Sequence, residues 1–461
     1  MTVAASLPAA RYGPLPETVR RALPMMPAVL ALVSAPPVGA GSVTPADVVS
    51  VALAVWCTVR LLRERERPLT PEAALVLGAP VVGIAVAAVT SLDADASLLG
   101  FVRYLQLFVL VPAAMVLLLR DGRDFRLVAW VVVALAVVQG VIGVRQYQTG
   151  TGASYVGQNI RAVGTFGPQD VMGMANLVSY GFVVAVALAL ALAPRASRRQ
   201  RCTALGAAAV LMPPLVLSFS RGAWIATASV CGAVLFLAGV RRAVAVLIGG
   251  FGVGSQLVAE WVDSIGRLAA GPDRSVTDRY TLWDAALGIW REHPVIGVGL
   301  KGFPAHRDSH ASLALSSASD TAGAGSGFRR QPLLSPHNMY LLVLSEQGLT
   351  GLVALAGSWA AMLVLALRRL VSARPHGLDA GCGLIAVGLL VWQAVDFLYA
   401  DIGGPSTVMT ALVLGLAAWW ALADAGSVRG SVSRALPKSA GPAELDPPLG
   451  HTCFESGVLA R

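Results

Sequence analysis

The chain has 461 residues, of which 56% are hydrophobic and only 13% are charged. Soluble proteins carry about 25% charged residues, so the composition excludes an ordinary soluble globular protein. The formal net charge of +9 comes almost wholly from arginine. Because the arginines lie between long apolar runs, we interpret them as signals of membrane orientation, and no nucleic-acid partner is expected.

Twelve apolar runs are long enough, or nearly so, to cross a bilayer as helices. They fall at about 22–38, 46–62, 72–91, 97–119, 127–146, 169–193, 203–220, 222–240, 243–260, 339–367, 378–399 and 405–424. The first run is interrupted by Pro27, Pro36 and Pro37. The sequence therefore predicts an all-α polytopic membrane protein with about twelve transmembrane helices.

Arginines recur in alternate connections between these runs, as at Arg63, Arg120, Arg198, Arg241 and Arg368. The positive-inside rule makes these connections cytoplasmic, together with both termini, in the inner or plasma membrane. The same rule divides the chain into five regions. They are a cytoplasmic segment (1–21), nine spans (22–260), a long extracytoplasmic loop (261–338), three spans (339–424) and a disordered cytoplasmic tail (425–461).

The long extracytoplasmic loop is expected to contain short helices. The stretch SVTDRYTLWDAALGIWREHP (275–294) has an apolar face at Trp283, Ala286, Leu287 and Trp290, which predicts a helix on the membrane surface or on the bundle. His293 and Pro294 end that helix. The small, polar segment 309–328 is either a flexible lid or a spacer.

Two outward-facing arginines are candidates for binding an anion. Arg221 lies in the turn of PLVLSFSRGAWIATASVCG, between two spans, and Arg279 lies in the long loop. A guanidinium is always charged and can donate two parallel hydrogen bonds to a phosphate. The alternatives are an interfacial anchor for Arg221 and a solvated charge for Arg279.

His337 precedes a predicted span, where a neutral imidazole could accept a proton from a hydroxyl nucleophile. Asn338 would orient a sugar hydroxyl or cap the following helix. Glu346 lies within that span and is expected to pair with an arginine across the bundle. HRDSH (306–310) lacks a clear third ligand, so no metal site is expected, and no cofactor is expected either.

The order of four outward-facing motifs resembles the O-antigen ligase and O-antigen polymerase family. The motifs are Ser220-Arg221-Gly222, Arg279 to Trp283, His337-Asn338, and the glutamate and glycines of Glu346-Gln347-Gly348-Leu349-Thr350-Gly351. They extend over about 160–360, and the arrangement of spans extends the resemblance over the chain. RAVGTFGP (161–168) departs from it, since Gln169-Asp170 follows where an Asn is expected.

This resemblance implies a GT-C-like helical glycosyltransferase that is inverting and requires no metal. The donor would be an oligosaccharide linked to a polyprenyl diphosphate, and the acceptor a glycan or lipid-linked glycan. Arg221 and Arg279 would bind the diphosphate and His337 would be the general base. Arg161, Ser220 and Asn338 are candidates for substrate binding. A flippase that delivers the donor and the surrounding membrane lipids are the implied partners.

Three functions remain open at this stage: a polysaccharide polymerase or ligase, a transporter similar to proposed bicarbonate transporters, and a non-catalytic scaffold for envelope assembly. A transporter should place ionisable residues in the middle of several spans, whereas here they lie mainly at the outer rim, which favours the enzyme. A scaffold predicts that His337 can be replaced without loss. The residues do not distinguish polymerase from ligase.

Overall fold

A computed structural model describes residues 45–64, 69–155, 158–166, 170, 172–191, 198–239, 274–311, 335–373, 378–402 and 405–423. The α-helices are α1 (Pro45–Glu64), α2 (Pro71–Val89), α3 (Ala94–Leu105), α4 (Val111–Leu118), α5 (Gly122–Thr149), α6 (Gly173–Ala191), α7 (Arg198–Leu217), α8 (Arg221–Leu237), α9 (Arg274–Glu292), α10 (Phe303–His310), α11 (Met339–Ser372), α12 (Leu378–Asp396) and α13 (Val408–Leu422). The π-helical segment Gln106–Leu110 joins α3 to α4, and 3₁₀ turns cover Gly164–Phe166 and Pro405–Thr407.

Ten of the twelve predicted apolar runs coincide with helices. Within the described residues, six helical stretches are long and apolar enough to cross a membrane, and four further apolar helices are shorter. This pattern confirms a polytopic membrane protein. The runs at 22–38 and 243–260, the N-terminal segment and the tail lie outside the described residues, so the number twelve stays a prediction.

The all-α prediction holds for the spans but not for the connection between α5 and α6. There, β1 (Ala153–Tyr155) and β2 (Gln158–Arg161) form a two-stranded antiparallel hairpin in which Ala153 is opposite Arg161. The hairpin is short and lies outside the spans. Therefore it adds a local element to the connection at 147–168, which is predicted to face outward, and leaves the helical architecture unchanged.

The core of the bundle is built on α6, α12 and α13. These helices are apolar on nearly all sides and are buried along most of their length, which is the pattern of a helix surrounded by other helices. Helix α12 contacts α6, α8, α11 and α13. Glycines permit close approach here: a Cβ added to Gly388 would lie 3.0 Å from Val183 Cγ1 and 3.1 Å from Val234 Cγ2.

Several connections predicted to be cytoplasmic meet at one end of the bundle. The Trp419 indole donates to Leu119 O at 2.7 Å, and Arg369 Nη1 donates to Trp420 O and Ala423 O, each at 2.7 Å. The Cys382 thiol lies 3.7 Å from Gly122 O. These contacts confirm that the connections after α4 and α11 and the end of α13 share one face, while its cytoplasmic orientation stays a prediction.

Helix α11 was predicted as one uninterrupted span at 339–367, but its backbone breaks at Gly348, where φ is 64° and ψ is −162°. Its 34 residues correspond to about 51 Å at 1.5 Å per residue, well above the roughly 30 Å of bilayer hydrocarbon. Only part of α11 is therefore needed to cross the membrane, and the break divides it into Met339–Gln347 and Leu349–Ser372.

Candidate functional site

The predicted site residues converge on a short loop that the sequence did not single out. This loop, Phe397–Ile402, follows α12 at the end of the bundle opposite the arginine-rich connections. The start of α11, helix α9 and the start of α8 all contact it. We call it the hub loop.

The start of α11 is held to the hub loop by its backbone and by Asn338. Met339 N donates to Phe397 O at 2.9 Å and to Ala400 O at 3.0 Å. The Asn338 side chain accepts from Leu341 N at 3.1 Å as the N-cap of α11, and its Nδ2 donates to Leu398 O at 3.1 Å. Asn338 therefore caps the helix, as one of its two predicted roles required.

His337 lies immediately before this cap in an uncommon backbone conformation. Its φ is 50°, and in the described part of the chain only Phe219 and Lys301 share a positive φ among non-glycine residues. Such conformations cost about 1–3 kcal/mol each and cluster at functional sites. His337 Nδ1 lies 3.9 Å from Asp401 Oδ2; the imidazole is 47% exposed and the carboxylate only 3%. A buried acid thus lies behind an accessible histidine.

Helix α9 brings Arg279 to the same loop. Arg279 Nη1 donates to Tyr399 O at 2.9 Å. One turn later, the Trp283 indole donates to Pro336 O at 3.0 Å, next to His337. These two bonds hold one face of α9 to the hub loop and to the residue that precedes the candidate base His337.

The buried face of α9 differs from the predicted one. The helix packs on the bundle through Leu282, Ala285, Ala286 and Ile289, which are at most 1% exposed, whereas the expected Trp283 and Trp290 are only half-buried. Both indoles instead donate hydrogen bonds, because the polar edge of a tryptophan favours a partly exposed position. Of the two predicted locations, the structure thus shows α9 on the bundle.

The Ser220-Arg221-Gly222 turn begins α8 beside the hub loop. Ser220 is the N-cap of α8, accepting from Ala223 N at 3.3 Å, and is buried. A Cβ added to Gly222 would lie 3.4 Å from Tyr399 Cβ, so the hub loop packs against this glycine. Arg221 is the first residue of α8 and is exposed at this end.

Arg161 ends β2 next to the same turn. The following residue, Ala162, donates its N–H to Leu217 O at 3.3 Å, which ties the hairpin to the end of α7. The Arg161 side chain lies outside the described part of the structure, so its predicted contact with substrate stays a prediction.

Asp170, at the departure from the family pattern, has a structural role. Its carboxylate accepts from Ser406 N at 2.7 Å and from Ser406 Oγ at 2.9 Å, which joins the start of α6 to the segment before α13. Burial raises the pKa of Asp170, while the bonds from Ser406 act in the opposite direction. Asp170 therefore helps to hold the segment that follows the hub loop.

The two histidines of HRDSH make separate contacts. His306 Nδ1 lies 3.0 Å from Gly302 O, and His310 Nε2 lies 3.0 Å from Glu292 Oε1. The contact with His306 O raises the pKa of His310 against the effect of burial, and Glu292 adds to the rise. Within the described residues, no three His, Cys, Asp or Glu side chains are grouped to hold a metal.

The prediction that Glu346 pairs with an arginine was wrong. Glu346 is 1% exposed, and its cationic neighbour is Lys301 instead of an arginine. Its Oε1 accepts from Phe303 N at 3.4 Å. The segment GVGLKGF, which the sequence indicated only as a turn, supplies both of these groups.

Sequence reasoning missed Tyr399 and Asp401, the hub-loop residues that face Arg279 and His337. The one available signal was an aspartate directly after a span, in the otherwise uncharged stretch ADIGGP. Nothing in that stretch indicates its distant partners, because the contacts join segments more than 60 residues apart.

Residues 207–356 match the family model described as O-antigen ligase, which confirms the resemblance over the segment that includes Arg221, Arg279 and His337. No match was found among curated proteins.

Proposed function

We propose, from the O-antigen ligase match over 207–356, that this chain is a membrane glycosyltransferase that moves a glycan from a polyprenyl diphosphate to an acceptor hydroxyl. The observation that carries the proposal is the convergence of Arg279, His337 and the Ser220–Gly222 turn on the hub loop. Two cations and an accessible imidazole thus come from three separate helices to one end of the bundle.

The arginines would bind the donor diphosphate. Arg221 is exposed at the start of α8, and Arg279 is half-buried and oriented by Tyr399 O. Guanidinium groups can pair bidentately with phosphate oxygens, and the pairing is stronger where water is partly excluded. Their role is to stabilise the negative charge that develops on the leaving diphosphate, and this mechanism requires no metal.

His337 would be the general base. Its Nδ1 faces Asp401, which leaves Nε2 for the acceptor hydroxyl. As the acceptor oxygen forms a bond to the anomeric carbon, the bond from that carbon to the diphosphate oxygen breaks on the opposite face. The hydroxyl proton passes to Nε2, the diphosphate leaves with the bonding electrons, and the configuration inverts. Asp401 would hold the ring and stabilise the imidazolium.

Asn338 and Ser220 serve these groups indirectly in our proposal. Both polar atoms of the Asn338 side chain bond to the backbone, and Ser220 Oγ accepts from Ala223 N. We therefore assign them to holding His337 and Arg221 in place instead of contacting the sugar.

The test uses purified protein in lipid nanodiscs with a polyprenyl-diphosphate oligosaccharide and a panel of acceptors. Release of free polyprenyl diphosphate is measured for wild type, His337→Ala and Asp401→Asn. The control is His293→Ala, which replaces an exposed histidine in the same long connection (261–338). We expect release to collapse in His337→Ala and to persist in His293→Ala. The size of the product then separates polymerisation from ligation.

Two results would contradict the proposal. Equal release by wild type and His337→Ala would remove His337 as the base. No release by wild type with any acceptor would favour transport or a scaffold.

A further inference from the structure

The break in α11 is bridged by a second segment of the chain, which we call the connector (Pro294–Gly302). Where α11 stops being helical at Gly348, its free carbonyls and amides pair with the connector backbone. The bonds are Val298 N to Ser345 O at 3.0 Å, Gly299 N to Glu346 O at 2.9 Å, Leu349 N to Pro294 O at 2.9 Å and Thr350 N to Val295 O at 3.1 Å. An interrupted membrane helix needs such partners, because unpaired backbone groups are costly there.

The Glu346 side chain extends this junction to α10. Helix α10 begins at Phe303, and its N-cap, Gly302, has no side chain to accept a hydrogen bond. Glu346 Oε1 accepts from Phe303 N, the first residue of α10, at 3.4 Å. The carboxylate of α11 therefore acts as a cap for α10, supplied by a distant part of the chain.

The connector has little freedom to shift. A Cβ added to Gly297 would lie 2.4 Å from the Glu346 carbonyl carbon, and one added to Gly299 would lie 2.3 Å from Ser91 Cα. Leu300 N donates to Ala87 O at 3.0 Å, at the end of α2. The connector is thus clamped between α2 and α11 at backbone contact distance.

The connector follows α9 in the chain and is hydrogen-bonded to α11, and these two helices position different parts of the site. Helix α9 carries Arg279 and ends at Glu292, one residue before the connector, whereas His337 lies just before Asn338, the N-cap of α11. Any slippage between Glu346 and the connector would therefore change the position of Arg279 relative to His337.

We propose that Glu346 is a positioning residue that sets the separation between the diphosphate-binding Arg279 and the base His337, by capping the start of α10 and so fixing the end of the connector against the broken helix. This inference rests on the proposed transfer reaction. Glu346 lies in the interior at the break and would not contact substrate. Its hydrogen-bond acceptor is the essential feature.

The experiment compares Glu346→Gln, Glu346→Ala and Glu346→Met with wild type. Glutamine keeps the Oε1 acceptor, alanine removes it, and methionine removes it while filling a similar volume, so that a variant without the acceptor remains folded if alanine does not. Glu72→Gln, an exposed carboxylate on α2, is the matched control. Turnover and the KM for the donor are measured in nanodiscs.

A second readout does not depend on turnover. Spin labels at two exposed positions, 284 on α9 and 398 on the hub loop, report the distance between the two halves of the site in a cysteine-free background. A misplacement near 1 Å can cost about 10²-fold in rate, so we expect losses approaching that size in Glu346→Ala and Glu346→Met. Their label distances should broaden or shift, and Glu346→Gln should restore both measurements.

The proposal is overturned if folded Glu346→Met turns over like wild type, or if its turnover falls while the label distance stays as narrow as in wild type. It is also overturned if Glu346→Gln is as impaired as Glu346→Met. Failure of the underlying reaction looks different: wild type would release no polyprenyl diphosphate, while the label distances would still respond to Glu346.

Discussion

Replacing Gly348 with alanine tests the broken helix directly. Gly348 adopts φ 64° and ψ −162°, a region that residues with a side chain rarely occupy. An added Cβ would lie 2.3 Å from Val295 O, 2.4 Å from Val295 C and 2.6 Å from Ile296 N. These are backbone atoms, and the hydrogen bond between Thr350 N and Val295 O holds them in place, so they cannot move aside cheaply.

The expected cost has two parts. The unfavourable backbone conformation costs about 1–3 kcal/mol, and forcing a methyl group into packed backbone costs about 1–3 kcal/mol more, so Gly348→Ala should destabilise by about 2–6 kcal/mol. The matched control lies in the same helix: Gly357 has no atom within 4 Å of an added Cβ. Because alanine has the higher helix propensity, Gly357→Ala should be neutral or stabilising by up to about 1 kcal/mol.

The assay is reversible unfolding of each variant in mixed micelles, followed by far-ultraviolet circular dichroism, with release of polyprenyl diphosphate measured in parallel. If Gly348→Ala unfolds at the same denaturant fraction as wild type and Gly357→Ala, α11 is continuous and the reasoning about the connector fails. A loss of stability in both variants would mean that α11 tolerates no added methyl group, and the break would explain nothing.

Three further results are expected. Asp170→Ala loses both bonds to Ser406 and should destabilise by about 1–3 kcal/mol, whereas Asp170→Asn can still accept from Ser406 N and can donate its amide to Ser406 Oγ. Because burial raises the folded pKa of Asp170, the contribution of this carboxyl group to stability is present at low pH and is lost as pH rises through that pKa. The free energy of unfolding measured against pH should therefore lose this pH dependence in Asp170→Asn, and a curve parallel to that of wild type would contradict the reasoning. The folded pKa of His310 is also raised, so its stabilising contact is present below its ordinary pKa and lost as pH rises through the folded value; Glu292→Gln should flatten this dependence, and parallel curves would argue against the contact. Asp401→Asn should lower kcat more than it changes KM, and the fall in kcat should be smaller than the fall caused by His337→Ala. A change confined to KM would instead assign Asp401 to donor binding.

The positions of the helices could be predicted because hydrophobicity along the chain is a local property. The apolar run at 127–146, for example, lies within α5 (Gly122–Thr149), and the helix of the long loop was placed at 275–294 and observed at Arg274–Glu292. The observed buried face of that helix differs from the predicted one by one residue. The Trp283 indole donates a hydrogen bond at the margin of the packed face, while Leu282 and Ala285 are buried in the core.

The break at Gly348 could not be predicted from hydropathy. The segment Glu346–Gly351 is polar and rich in glycine, but apolar runs flank it on both sides. Hydropathy alone does not distinguish a broken helix from a continuous span that carries a polar residue. What permits the break is the connector, which supplies hydrogen bonds from a segment about 50 residues earlier. The partner of Glu346 was assigned wrongly for the same reason: sequence indicated that a buried carboxylate needs a cation but not which one.

The sequence by itself determined the class of this protein, the places of most of its helices and the residue types of its candidate chemistry, because composition, apolar run length and motif order are local properties of the chain. Only the tertiary structure decided that Arg279, Asn338, Gly222 and Asp401 meet at one loop, and that the cation near Glu346 is Lys301. Those contacts depend on which helices are neighbours, and neighbours in a bundle are chosen by the packing of whole faces against each other.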